Sequence, residues 1–93
     1  MNSTQANPRR FSAEVFVFPR QEILDPQGKA IGNALSQFGF SETEDVRAGK
    51  SFQIELSGET LKQAQQRVQE MCEKLLANTI TEDYSFEVKE LQG

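Results

Sequence analysis

Phe11-Ser12-Ala13-Glu14-Val15-Phe16-Val17-Phe18 alternates residue by residue, and Leu24-Asp25-Pro26-Gln27-Gly28 follows it as a helix start. The change from a two-residue to a 3.6-residue period within this short span decides the fold class. Phe11, Ala13, Val15 and Val17 point one way along a strand; Ser12, Glu14, Phe16 and Phe18 point the other. The second face turns aromatic at its C-terminal end. Phe16 and Phe18 are therefore either a rim of the same core or a dimer interface covered by another subunit. Asp25 is placed to cap the first free backbone N–H groups, and Pro26 suits the first helical position, which needs no N–H. Gly28 is out of place there, because glycine costs about 1 kcal/mol relative to alanine inside a helix. Its presence has two readings: a plain capped helix that tolerates the cost, or a site where another backbone or a ligand comes close.

The rest of the chain continues the pattern. Pro19 closes the strand. Helix one is expected from Pro26 to about Phe38, with Ala30, Ile31, Ala34, Leu35 and Phe38 on one stripe and Gly39 as its left-handed terminator. Phe40 to Leu56 reads as extended and is interrupted at Ala48-Gly49-Lys50 by a hairpin turn or by a bulge. Thr60 to Gln63 forms a capping box for helix two, whose stripe is Leu61, Ala64, Val68, Met71, Cys72, Leu75 and Leu76, closed by Asn78. Tyr84, Phe86, Val88 and Leu91 belong to a last strand. The order is β-α-β(β)-α-β: an α+β, two-layer sandwich of ferredoxin-like type, with an antiparallel sheet and two helices on one face. Residues 1–10 are polar and aperiodic and are expected to be a disordered leader; residues 11–93 form one domain.

Composition narrows the function. From Phe11 onward eight basic residues face fourteen acidic ones, and the basic ones are scattered. Nucleic acid is an unsuitable partner for such a surface. No apolar run approaches the roughly 20 residues of a membrane span, and no signal-peptide pattern opens the chain, which points to the cytoplasm. The chain has no histidine and one cysteine, so it lacks the commonest general base, a Cys–His pair and a zinc cluster. No residue is nominated as catalytic and none as a metal ligand. Cys72 reads as core packing. Arg47 and Lys50 flank a glycine bend and read as a solvated bend or as a cationic contact. Asp25 is mainly a cap and Asn78 mainly a terminator.

Three motifs carry a resemblance. Ile23-Leu24-Asp25-Pro26-Gln27-Gly28-Lys29-Ala30, then Asp45-Val46-Arg47-Ala48-Gly49-Lys50, then Met71-Cys72-Glu73-Lys74-Leu75-Leu76-Ala77-Asn78 with Glu82-Asp83-Tyr84 are similar, in order and spacing, to the PurS-type small subunit of phosphoribosylformylglycinamidine synthase. The resemblance runs from about Phe11 to Val88. It implies a non-catalytic assembly subunit of a purine-biosynthetic ligase, joining a glutaminase subunit to a large ATP-dependent amidating subunit and helping ammonia pass between them. ATP, Mg and glutamine would be used by those partners, with no cofactor in this chain. It also implies a homo-oligomer, dimer or tetramer. Asp25, Gln27, Gly28, Arg47, Gly49, Lys50 and Asn78 are then candidates for the partner interface or the channel. The competing reading from the fold alone is a homodimeric regulatory module that binds a small metabolite.

Overall fold

Side-chain alternation in the first strand is realised as a fully sealed inner face. The computed structural model describes residues 9–92. Its elements are β1 (Arg9–Pro19), α1 (Pro26–Gln37), β2 (Lys50–Gly58), α2 (Leu61–Met71), a π-helical turn (Cys72–Leu76) and β3 (Glu82–Glu90). β1 is central and pairs antiparallel with both other strands, in the order β2-β1-β3. Val15 stands opposite Phe52 on one side and Phe86 on the other. Phe11, Val15 and Val17 are sealed beneath α2, which contributes Ala64 and Val68, while Cys72 and Ala77 complete the floor. Tyr84 and Phe86 stack on that same face, with ring centroids 6.3 Å apart.

The α+β class, the element order and the antiparallel sheet are as expected from sequence. Several details differ. Most of the expected leader lies outside the described residues, but Arg9 and Arg10 are the first residues of β1. Arg9 donates a forked pair of hydrogen bonds to Glu90, at 2.7 and 2.6 Å, and a third to the Glu59 carbonyl at 2.7 Å. That fork extends the ladder beyond the apolar run.

Residues 40–49 form neither a hairpin nor a bulged strand; they run as an irregular segment, and pairing starts only at Lys50. Ser41 to Asp45 offers almost no apolar side chain to bury, so a ladder there would gain little. Helix two also changes its winding. The Ala77 N–H reaches back to the Cys72 carbonyl at 2.9 Å, five residues away. The extra residue in this turn brings Leu76 toward the core and leaves Leu75 83% exposed. The helix closes at Ala77, which turns extended, and not at Asn78.

The placement of α1 is the largest difference. α2 covers the sheet; α1 stands off it, and Gly28 is its only buried residue. The described chain is correspondingly long, 63 × 29 × 15 Å, with a radius of gyration of 18.4 Å. A compact chain of this length would have about 12 Å. The helix itself is well made. Gly39 takes the left-handed conformation at φ 101°. The Phe40 N–H bonds the Leu35 carbonyl and the Gly39 N–H bonds the Ser36 carbonyl, the double closure of a Schellman end.

Val68 is wholly buried between α2 and the sheet. Val68→Ala should lower stability by about 1–3 kcal/mol, read as the urea midpoint at fixed protein concentration. An unchanged midpoint would mean that α2 does not rest on the sheet.

Candidate functional site

Most of the motif residues meet at one end of the sheet, where β1 stops. Asp25 caps α1: its Oδ1 accepts from the Gly28 N–H at 3.0 Å. Its other oxygen, Oδ2, accepts from the Ala48 N–H at 2.8 Å. The Arg47 guanidinium runs the opposite way and donates to the carbonyls of Pro19, at 3.0 Å, and Arg20, at 2.6 Å. The two segments are thus cross-tied, each by the other's side chain. Hydrogen bonds from Gly28 and then from Ala48, followed by the Arg47 charge, hold the Asp25 carboxyl below its ordinary range.

Glycine is required twice in this clasp. A Cβ on Gly28 would collide with the Val46 carbonyl oxygen and with the Asp25 carboxylate. The close approach read from sequence is therefore a neighbouring backbone, not a ligand. A Cβ on Gly49 would collide with the Val17 carbonyl oxygen and the Phe18 ring. Gly49 crosses the end of β1 directly.

Lys50 extends over the Phe52 ring, and its Nζ lies 3.9 Å from Glu82. Asn78 shapes the turn into β3: its Oδ1 accepts from the Ile80 N–H at 3.1 Å and its carbonyl from the Glu82 N–H at 2.7 Å. Glu82 accepts in return from the Asn78 N–H at 2.7 Å. Arg20 joins the two halves. It donates to the Thr79 carbonyl at 2.6 Å, while its own carbonyl takes the Arg47 bond. From sequence Arg20 reads as a loop residue after a strand-ending proline, and Glu82 as part of a solvated loop that belongs to the closing motif; neither reading contains the contact it makes here.

Asp25 and Gly28 are in direct contact, Arg47 is tied to the same crossing through the Pro19 and Arg20 carbonyls, and Gly49, Lys50 and Asn78 lie around the β1 end. Gln27 stands apart, exposed on the first turn of α1. Phe16 is half-buried on the open sheet face, and Phe18 is 43% exposed beside Gly49. A groove of about 520 Å³ separates α1 from residues 43–47. Glu22, Glu44 and Asp45 line it together with Lys29. Cys72 is packed in the core, and burial pushes its thiol up, away from the reactive thiolate form.

A three-stranded antiparallel sheet with one covering helix and a second helix clasped away from it defines a small α+β domain that presents surfaces. Residues 12–90 match the PurS family, described as phosphoribosylformylglycinamidine (FGAM) synthase. The chain belongs to that family. It is 41% identical over 81 residues to the PurS subunit of Bacillus subtilis, covering 87% of this chain and 95% of the relative. The solved purS subunit of Thermotoga maritima superposes with a TM-score of 0.82 at 31% identity, over 94% of this chain and 98% of the other. A chain in the structure of PurLQS from Thermotoga maritima matches with a TM-score of 0.76 at 33% identity, over 88% and 98%.

Gly28→Ala should lower stability by about 1–3 kcal/mol, because the Val46 backbone has to yield; a calorimetric midpoint equal to wild type would show that the approach is loose. The Asp25 carboxyl is lowered in the folded state, so what it adds to stability is complete above its unfolded value near 4 and lost as pH falls through the folded value. Asp25→Asn should therefore flatten the acid limb of the stability curve below about pH 4. Identical acid limbs for the two proteins would remove Asp25 from the clasp.

Proposed function

We propose that this chain serves FGAM synthase as a non-catalytic assembly subunit, joining the glutaminase to the large ATP-dependent amidating subunit and helping ammonia move between them. The observation that carries this reading is the match, over 88% of its length, to a chain of the PurLQS structure, beside the match to the PurS family. ATP, Mg and glutamine are used by the partners, and the chain works in the cytoplasm as a homo-oligomer. Among the described residues no helix is long and apolar enough to cross a membrane. The metabolite-binding regulatory module is not favoured, since family membership accounts for the same fold.

Ammonia in water is largely ammonium, which is no nucleophile. Passing it between two active centres requires a path closed to bulk water, and a rigid filler between subunits supplies that without moving a proton. The clasp at the end of β1 provides rigidity where the chain has no regular ladder. Asp25, Gly28, Arg47 and Gly49 act in this reading by holding the surface in shape, while Gln27 and the open-face Phe16 and Phe18 offer surface to neighbours and Lys50 does so from its place beside Glu82.

Omitting this chain from a reconstituted complex should lower glutamine-dependent amidation at least tenfold, on the order of the losses when orientation fails, while ammonia-dependent amidation persists. Equal turnover from glutamine with and without the chain would end this reading.

A further inference from the structure

The π turn at the end of α2 turns a leucine out of the core. A continued 3.6-residue period would keep Leu75 on the apolar stripe beside Leu76. The extra residue, closed by the Ala77 N–H on the Cys72 carbonyl at 2.9 Å, sends Leu75 outward, where it is 83% exposed. Ile80, five residues on, is 80% exposed. Neither sits on a loose loop. The Thr81 and Glu82 N–H groups both return to the Asn78 carbonyl, at 3.0 and 2.7 Å, and the Ile80 N–H bonds Asn78 Oδ1 at 3.1 Å. Arg20 ties the same turn to the end of β1, through its side chain to the Thr79 carbonyl and through its own N–H to the Thr81 carbonyl at 2.9 Å. Tyr84 fastens the π turn to β3 by donating to Glu73 at 2.9 Å. Two large aliphatic side chains are thus held in water on one braced corner. That arrangement gives the isolated fold nothing, because their apolar surface stays hydrated.

We infer that Leu75 and Ile80 are anchors that enter an apolar socket on the large amidating subunit. The inference rests on the proposed role of this chain as an assembly subunit and adds the surface through which it docks. Area argues against a second copy as the occupant. Two aliphatic side chains supply on the order of 200 Å², against the roughly 800 Å² per partner of a standard interface. Such a patch works as a central anchor, with the remaining area coming from around the socket. Of the two partners the amidating subunit is the larger, and it has the more surface to give. Shape points the same way. Both side chains stand clear of the chain, so they need a hollow. The groove beside α1 and the hollow over Glu14, Gln53 and Glu87 are lined largely by polar and charged side chains, which makes a second copy a poor host at either. Charge sets the character of the socket. Glu82 lies near Lys50, Asp83 near Arg20, and Glu73 accepts from Tyr84, so these carboxylates are engaged within the chain. The corner offers apolar surface with little call for counter-charge, and an apolar host matches it.

The test titrates the full chain carrying Leu75→Ala and Ile80→Ala against the purified amidating subunit by interferometry. The pair removes apolar surface without adding charge. Both positions are exposed, so circular dichroism and the urea midpoint should match wild type, while the dissociation constant rises at least about 30-fold, the loss of one interface hot spot. The ratio should be the same in about 0.05 M and about 0.5 M NaCl, because no ion pair is removed. Leu75→Met keeps the apolar volume and should bind within about threefold of wild type. An unchanged constant in the double variant overturns the docking surface. So does a loss confined to self-association in sedimentation velocity, which makes a second copy the occupant, and so does a loss confined to the glutaminase subunit. A wild-type chain that binds neither subunit removes the assembly reading and this surface with it; tight wild-type binding that the double variant retains removes the surface alone.

Discussion

A central strand that outruns its neighbour imposes the main constraint on this molecule. β1 pairs with β2 only as far as Val17, opposite Lys50, although the strand continues to Pro19. Beyond that point the carbonyls on the β2 side have no ladder partner, and the Arg47 guanidinium takes up those of Pro19 and Arg20. Backbone carbonyls left without partners in a half-buried place are costly. A planar, permanently charged fork suits the task in a way that lysine does not. The same shortage exists on the incoming chain, where the Ala48 N–H precedes the first ladder bond and finds Asp25. The two charged residues therefore bind backbone dipoles on opposite segments, and this crossing decides where α1 is held.

The consequence reaches the rest of the sheet end. Gly49 lets the chain pass against the Val17 carbonyl, so β2 begins in register at Lys50. Arg20 carries the tie across to Thr79, and the Asn78–Glu82 pair fixes the turn that starts β3. All three strands are thus anchored at one end by side-chain-to-backbone bonds. The other end is held by the Arg9 fork to Glu90 and its reach to the Glu59 carbonyl. The middle is held by apolar packing.

Where local chemistry governs, the sequence could be read. The β1 alternation, the Asp25 cap, the Thr60 cap with its bond from the Gln63 N–H, and the Gly39 terminator are each decided within a few residues. At Gly28 the sequence left two readings, a plain capped helix and a close neighbour, and the Val46 backbone decides for the second. The capping box was half right: the Gln63 side chain turns to the Glu59 N–H instead of Thr60. What could not be read depends on tertiary context. The irregular course of residues 40–49 follows from side chains that pair with distant backbone. The π turn after Met71 shifts a stripe that a 3.6 period extrapolates smoothly to Leu75. The roles of Arg20 and Glu82 exist only once three loops meet. The standoff of α1 is invisible to periodicity, because an amphipathic stripe shows that a helix is covered and not by what.

The open face of the sheet shows how such a small domain avoids indiscriminate association. Glu14 on the central strand stands directly opposite Glu87, and Ser12, Gln53, Glu55 and Lys89 surround them. Like charges facing each other across strands cost stability, and the outer edges of β2 and β3 are unpaired. A bare apolar face with two free edges would invite stacking and edge pairing. The charged centre suppresses stacking and leaves aromatic surface only at Phe16 and Phe18, next to the clasped end. With only eight apolar residues sealed inside among those described, the domain has little core to spare for disorder elsewhere. The large apolar side chains left exposed lie around α1 and the β1 end and on the surface of α2 and the turn after it, at Leu61, Leu75 and Ile80, so apolar contact with neighbours is kept away from the centre of the open face.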